Sequence, residues 1–177
     1  MSTVIRGKCW CSGDGITVYQ IIPELRWTMN KIDAEQMSQW VFEELEPGAE
    51  NTANAFKQKG FTIVIAGKNF GCGSKSVEHP MAALKGAGIK LVVAESFSRY
   101  SYRNAINLGL PVIACPQITK YVQRGDELEV DVMSGKIKNL TTGTEMCASG
   151  LGEFAMEIIS EGGLLQYIKK KGAVQYE

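Results

Sequence analysis

Phe61-Thr-Ile-Val-Ile-Ala66 followed by Gly67-Lys-Asn-Phe-Gly-Cys-Gly-Ser74 is the stretch on which the fold turns. The first run is apolar and rich in β-branched residues, with strand composition and strand length. Beyond the second run, Met81, Leu84 and Ala87 fall on one helical stripe that Gly88 closes. A loop with glycines at 67, 71 and 73 therefore carries the chain from a strand end into a helix start. The first N–H groups of a helix lack helical partners and point outward with the positive end of the dipole. Glycine lets an anion approach such a backbone closely. Ser74 and Ser76 are the candidate caps of that helix. The expectation is an anion site built on the amides of this loop. Two generic phosphate loops are excluded. No window reads G-x-x-x-x-G-K-S/T, and the third glycine of G-x-G-x-x-G is missing after Gly71-Cys-Gly73.

Working outward, residues 90–94 repeat the strand pattern, residues 100–108 form a helix stopped by Gly109, and residues 110–114 form another strand. Strands alternating with helices imply an α/β fold with a parallel β-α-β-α-β unit. In such sheets ligands bind beyond the carboxyl ends of the strands, where the 67–74 loop falls. Asn104 and Asn107 suit ligand contact and helix-end bonding equally. Upstream, residues 4–10 read as an opening strand ending in Cys9-Trp-Cys11. One C-x-C pair without a second pair or histidines is a poor metal site, and plain semi-buried thiols are the simpler reading. Gly13-Asp14-Gly15 is a turn by composition. Residues 33–45 make an amphipathic helix, with a capping box at Asp33 and Gln36 and with Met37, Trp40, Val41 and Leu45 facing the core. A second short helix covers residues 52–59 and closes at Gly60. After Pro116 the pattern alternates, and residues 127–147 read as an antiparallel meander. Two closing helices, 154–159 and 164–168, flank Gly162-Gly163, and Lys169-Lys-Lys171 suits a helix C-terminus.

With 177 residues the chain reads as one compact domain spanning 1–177, large enough for a substantial core. Its 19 basic and 19 acidic side chains cancel, so no global charge points to nucleic acid or an anionic membrane. No apolar run has the length of a membrane span, and the first residues do not resemble a signal peptide. Five cysteines at irregular spacing are no disulfide framework. The expected setting is the reducing cytoplasm.

Several words of the sequence, in order and in register, carry a family resemblance. They are Ala66-Gly-Lys-Asn-Phe-Gly-Cys-Gly-Ser74, Ala94-Glu-Ser-Phe97 and Tyr102-Arg-Asn-Ala-Ile-Asn-Leu-Gly-Leu-Pro111, with a fainter Gly13-Asp-Gly-Ile16 and Ile21-Ile-Pro23 upstream. Together they span most of residues 5–115. The chain resembles the small subunit of the isopropylmalate dehydratase family, the swivelling β/β/α domain of aconitase-type enzymes. The resemblance implies a hydro-lyase that eliminates and re-adds water on a hydroxy dicarboxylic acid, by default 3-isopropylmalate in leucine biosynthesis. Homoaconitate and dimethylmalate-like acids are the alternatives within the superfamily. It implies Ser74 as the base that removes a proton beside a carboxylate, and Asp14 as a residue organising that serine. A bare turn aspartate is the competing reading of Asp14. It further implies a separate large subunit bearing a [4Fe–4S] cluster, because Cys9, Cys11, Cys72, Cys115 and Cys147 do not form a cluster motif.

The chain departs from the resembled pattern in three places. Thr17-Val-Tyr19 stands where relatives read Asn-Thr-Asp. Arg26 lies one residue beyond the position of a family arginine. Lys75 and Ser76 stand where relatives carry Ser-Arg, whose arginine clamps a substrate carboxylate. The candidate substrate contacts are accordingly Gly73, Lys75, Ser76 and Arg26, with Lys75 supplying a point charge in place of a planar fork. His79, the only histidine, is either a general acid–base or a packed helix residue. Cys72 is read as a small loop residue. From a different functional class, a non-catalytic carboxylate- or phosphate-binding module would need no partner.

Overall fold

The computed structural model describes residues 3–28, 31–46, 48, 52–73 and 75–172. Its centre is a seven-stranded sheet in the order β4-β3-β2-β1-β5-β6-β7. The strands β1 (Val4–Cys11), β2 (Ile63–Ala66), β3 (Leu91–Ala94) and β4 (Val112–Ala114) run parallel, with Trp10 opposite Val64, Ile65 opposite Val93 and Val93 opposite Ile113. The expected meander follows as β5 (Glu127–Asp131), β6 (Lys136–Asn139) and β7 (Glu145–Cys147), and β5 pairs antiparallel with β1.

Every residue of β2 and β3 is buried, because both faces of the sheet are covered. With a side-chain period of two, Val64, Ala66, Val92, Ala94 and Val112 pack into one core. Ile63, Ile65, Leu91, Val93 and Ile113 pack into a second core behind the sheet. The first core is roofed by α1 (Val18–Ile21), α2 (Ala34–Ser38), α3 (His79–Gly86) and α4 (Arg99–Asn107). The second is closed by the antiparallel strands, a 3-10 turn at Ile118–Lys120 and α5 (Glu153–Ser160), after which α6 (Leu164–Lys171) ends the described chain.

The helix expected over residues 33–45 is only five residues long. Asp33 caps it, its Oδ1 accepting the Gln36 N–H at 3.0 Å, but α2 stops at Ser38. Phe42 decides this: it takes φ 54°, donates its N–H to the Ile21 carbonyl at 2.9 Å and stacks its ring on Trp10 at 3.8 Å. A buried aromatic stack outweighs the small per-residue gain of continuing a helix. Likewise the helix expected over 52–59 survives only as a 3-10 turn, Lys57–Lys59, ended by Gly60 in the left-handed region. Pinning this irregular segment is Glu46, whose side chain has no solvent exposure and accepts from Trp10 Nε1, Lys59 Nζ and Arg124 Nη2. Burial by itself raises its carboxyl, but the bonds from Arg124, Lys59 and Trp10 hold it below the ordinary carboxylate value.

Candidate functional site

The parallel pairing of β1, β2 and β3 brings three loops to one edge of the sheet: residues 12–17, 67–73 and 95–98. The central loop is laced to both neighbours. On one side Gly67 N donates to Gly13 O at 3.0 Å, and Gly71 N and Cys72 N both donate to Ile16 O at 2.7 and 3.2 Å. In return Gly15 N donates to Lys68 O and Val18 N to Cys72 O, both at 2.8 Å. On the other side Phe70 N donates to Ser96 O at 2.9 Å, and Asn69 N donates to Ser96 Oγ at the same distance. Lys68 N donates to Asp14 Oδ1 at 2.7 Å. Every amide from 67 to 72 is thus spent on a protein acceptor, which overturns the expectation of an anion cradle made of these N–H groups.

Glycine is needed here for close approach. A Cβ on Gly67 would lie 2.0 Å from Asp14 Oδ1, inside the bond just described. Gly71 sits at φ +71°, and a Cβ there would meet Ser101 Oγ at 2.2 Å. The Gly71 carbonyl explains that contact, because it accepts from both Ser98 Oγ (2.7 Å) and Ser101 Oγ (2.6 Å) at the start of α4.

The helix beyond the loop begins later than its composition suggests. Its first residue is His79, with Pro80 in the first turn and Glu78 as a cap that makes no side-chain bond. Ser76 is exposed and three residues short of the helix, so it caps nothing. Ser74 lies outside the described residues. The helix dipole weakens beyond the first turn, and that turn begins only at His79. Charge in this region comes from side chains.

Asp14 bonds across to the central loop rather than to its own turn, as its contact with Lys68 N shows. Lys75 is exposed and bonds through Nζ to Glu24, which sits on a 3-10 turn, Glu24–Arg26. The same Nζ stands over the faces of Trp27 at 5.5 Å and Tyr19 at 6.0 Å. Trp27 is the middle of a three-ring stack, parallel to Tyr19 (5.8 Å, 13°) and to His79 (5.1 Å, 15°). The bond to Glu24 holds the Lys75 ammonium above the ordinary lysine value. Glu24 and Trp27 were not among the residues singled out from sequence. The one signal for them was the exchange of an acidic residue for the aromatic Tyr19. Thr17 was also passed over as a cap, although Thr17 and Gln20 form a reciprocal capping box that starts α1.

Arg26 does not reach into this group. Its guanidinium pairs with Glu43 through two bonds of 3.0 and 2.7 Å and stacks on Trp40 at 3.7 Å. His79 packs against Trp27 and donates its Nε2–H to the Thr28 carbonyl at 3.2 Å, while its buried Nδ1 meets no partner among the described residues. Asn104 ties α4 to the loop through Nδ2 to Val77 O at 2.9 Å, so helix-side bonding describes it. Among the described residues no three His, Cys, Asp or Glu side chains converge as metal ligands. Burial pushes the Cys9 thiol upward, and burial with Asp126 pushes Cys11 up to about 11. Both members of the C-x-C pair are thus shifted toward the neutral thiol.

Comparison with known proteins returns one consistent answer. The model of the aconitase C-terminal domain matches residues 23–117. The chain is 46% identical over 173 residues to the isopropylmalate/citramalate isomerase small subunit of Methanocaldococcus jannaschii, covering 98% of each. It is 43% identical over 177 residues to 3-isopropylmalate dehydratase small subunit 1 of Methanopyrus kandleri, covering 100% of this chain and 99% of the other. Among solved structures it resembles a 3-isopropylmalate dehydratase from Methanocaldococcus jannaschii, with TM-score 0.80, 30% identity and 95% of each chain covered.

Proposed function

We propose a function on this footing: the chain belongs to the family of 3-isopropylmalate dehydratase small subunits, built on the aconitase C-terminal domain. It serves as the small subunit of a hydro-lyase that removes and re-adds water on a hydroxy dicarboxylic acid, 3-isopropylmalate by default, in leucine biosynthesis. The observation that carries this reading is identity of 43% sustained over all 177 residues with a relative of that name. The names of the relatives speak of a small subunit, so the chain works with a larger partner. In this reading the partner brings a [4Fe–4S] cluster, which supplies a Lewis acid for the substrate hydroxyl. Among the described residues no three His, Cys, Asp or Glu side chains converge to hold such a cluster, and in this reading the chain contributes through its own side chains.

Ser74 takes the proton from the carbon beside a substrate carboxylate. A serine hydroxyl is a weak base unless its anion is stabilised, and Lys75, its neighbour in sequence, is the cation that would do so in this reading. Asp14 keeps the central loop in register through Lys68 N. Gly73 and Ser76 flank Ser74 and Lys75 and offer a backbone donor and a hydroxyl to the same ligand. Lys75 meets a carboxylate as a point charge. Arg26 has its fork filled by Glu43, and its part is to brace the Glu24–Arg26 turn.

The test is reconstitution with the cluster-bearing large subunit of the same source, following dehydration of 3-isopropylmalate by absorbance of the unsaturated product. Ser74→Ala should lower kcat by about 10²–10⁴-fold, the usual worth of a positioned base, without loss of partner binding. Full turnover by that variant, or equal turnover without the partner, refutes the reading and favours the stand-alone binding module. Citramalate is the second substrate to try, because the relative from Methanocaldococcus jannaschii bears that name as well. The ratio of kcat/KM values ranks the two acids.

A further inference from the structure

Lys75 is not an open charge awaiting a ligand. Its ammonium is bonded to Glu24, and the carboxylate of that residue comes from a different turn of the chain. The pair lies against an aromatic wall, with Nζ above Trp27 and Tyr19 and with Trp27 stacked between Tyr19 and His79. Three features make this more than a chance surface contact. The turn that carries Glu24 is fixed from both ends, by Trp27 Nε1 donating to Ile22 O at 3.1 Å and by the two-bond Arg26–Glu43 pair. The rings confine a side chain that would otherwise sample many rotamers, which lowers the entropy lost on pairing. Finally, both members remain about half exposed, at 47% for Lys75 and 51% for Glu24, so an incoming anion can reach the ammonium.

The backbone amides of residues 67–72 are all occupied, and Arg26 is held by Glu43. Lys68, in the same loop, is also exposed, and of the two lysines Lys75 is the one beside Ser74 in sequence and already bonded to a carboxylate. A carboxylate arriving there finds another carboxylate already in place, and it can bind Lys75 only by displacing it.

We propose that Glu24 is a specificity-determining residue: it occupies Lys75 as a resident counter-ion that a substrate carboxylate must displace, so that the site selects acids presenting a well-placed carboxylate over weaker anions. The inference rests on the function proposed above. Glu24 itself takes no part in proton transfer. It sets the threshold of binding and leaves the chemical step alone, since a competitor that acts before the reaction changes KM rather than kcat.

The experiment compares wild type, Glu24→Gln, Lys75→Met and the double variant, each with its large subunit. Calorimetric binding of 3-isopropylmalate, citramalate and malonate is measured beside the steady-state kinetics. Glu24→Gln should tighten dicarboxylate binding and lower KM by about two- to five-fold, the range set by an exposed ion pair, with the change in KM and not in kcat. In the Lys75→Met background the same glutamate substitution should have no effect, and both Met variants should bind every dicarboxylate more weakly than wild type. An equal effect of Glu24→Gln in both backgrounds would overturn the proposal. So would an effect on kcat alone, or no binding of any of the three acids by wild type. If binding follows the expected order while the wild-type complex dehydrates none of the acids, the hydro-lyase reading fails and the Lys75–Glu24 device stands.

Discussion

Replacing Glu46 by glutamine tests the electrostatic tie that holds the irregular half of the helical layer. The carboxylate is fully buried and receives three donors from three distant segments, Trp10 on β1, Lys59 before β2 and Arg124 before β5. The amide keeps one acceptor oxygen but turns an NH₂ group toward a donor and removes the negative charge that Lys59 and Arg124 both bond. Breaking a buried pair in this way costs about 3–5 kcal/mol. Lys59 and Arg124 retain 34% and 40% exposure, so water recovers part of that, and we expect about 2–3 kcal/mol at neutral pH. With a urea m-value of about 2 kcal/mol/M, reasonable for a chain of this size, the unfolding midpoint should fall by about 1–1.5 M. The pH dependence supplies the sign. The folded carboxyl lies below its unfolded value, so its stabilisation is complete above about pH 4.3, the unfolded glutamate value. It fades as pH falls through the lower folded value. The difference between wild type and variant should therefore hold from neutral pH down to about pH 5 and shrink below it. A midpoint shift under about 0.3 M at pH 7, well inside surface-substitution scatter, or a difference that persists undiminished in acid, would refute the assignment.

Two further substitutions probe the loops directly. Asp14→Asn keeps an oxygen for Lys68 N and should leave the melting temperature within about 2 °C of wild type, while Asp14→Ala should cost about 0.5–1.5 kcal/mol for the lost bond. Both should lose turnover in the reconstituted complex, and an Asn variant with full activity would reduce Asp14 to a tether. Gly71→Ala should destabilise by about 2–4 kcal/mol, combining a left-handed backbone with a collision. Adding Ser101→Gly should return only the collision part, because φ +71° remains; complete rescue in thermal unfolding would show that the backbone carries no strain.

The parallel unit, the antiparallel meander and the closing helices were legible because burial imposes a period. Strands covered on both faces must read as continuous apolar runs, and β2 and β3 do so. Strands covered on one face must alternate, as β5 does. The edge that gathers the three loops of the candidate site followed from the strand–helix alternation, and the words around Gly67 to Ser74 identified the family. Local rules carried less far where a distant group competes. The capping signal at Asp33 was sound, yet α2 ends after five residues because Phe42 finds Trp10. The stripe through Met81, Leu84 and Ala87 marked a helix, and its start at His79 was settled by Pro80 and by the loop's attachment to its neighbours.

What the sequence determined by itself was the order of strands and helices, the family and the short list of polar residues at the carboxyl edge. These depend on periodicity and on words that are local in the chain. Only the tertiary structure decided which of those polar groups are already engaged. The amides of 67–72 are taken by Gly13, Asp14, Ile16 and Ser96, Arg26 by Glu43, and Lys75 by Glu24. A donor's partner is set by whatever acceptor folding brings within about 3 Å. In this chain those acceptors lie 17 to 56 positions away, from Arg26–Glu43 to Cys72–Ile16, beyond the reach of any local pattern.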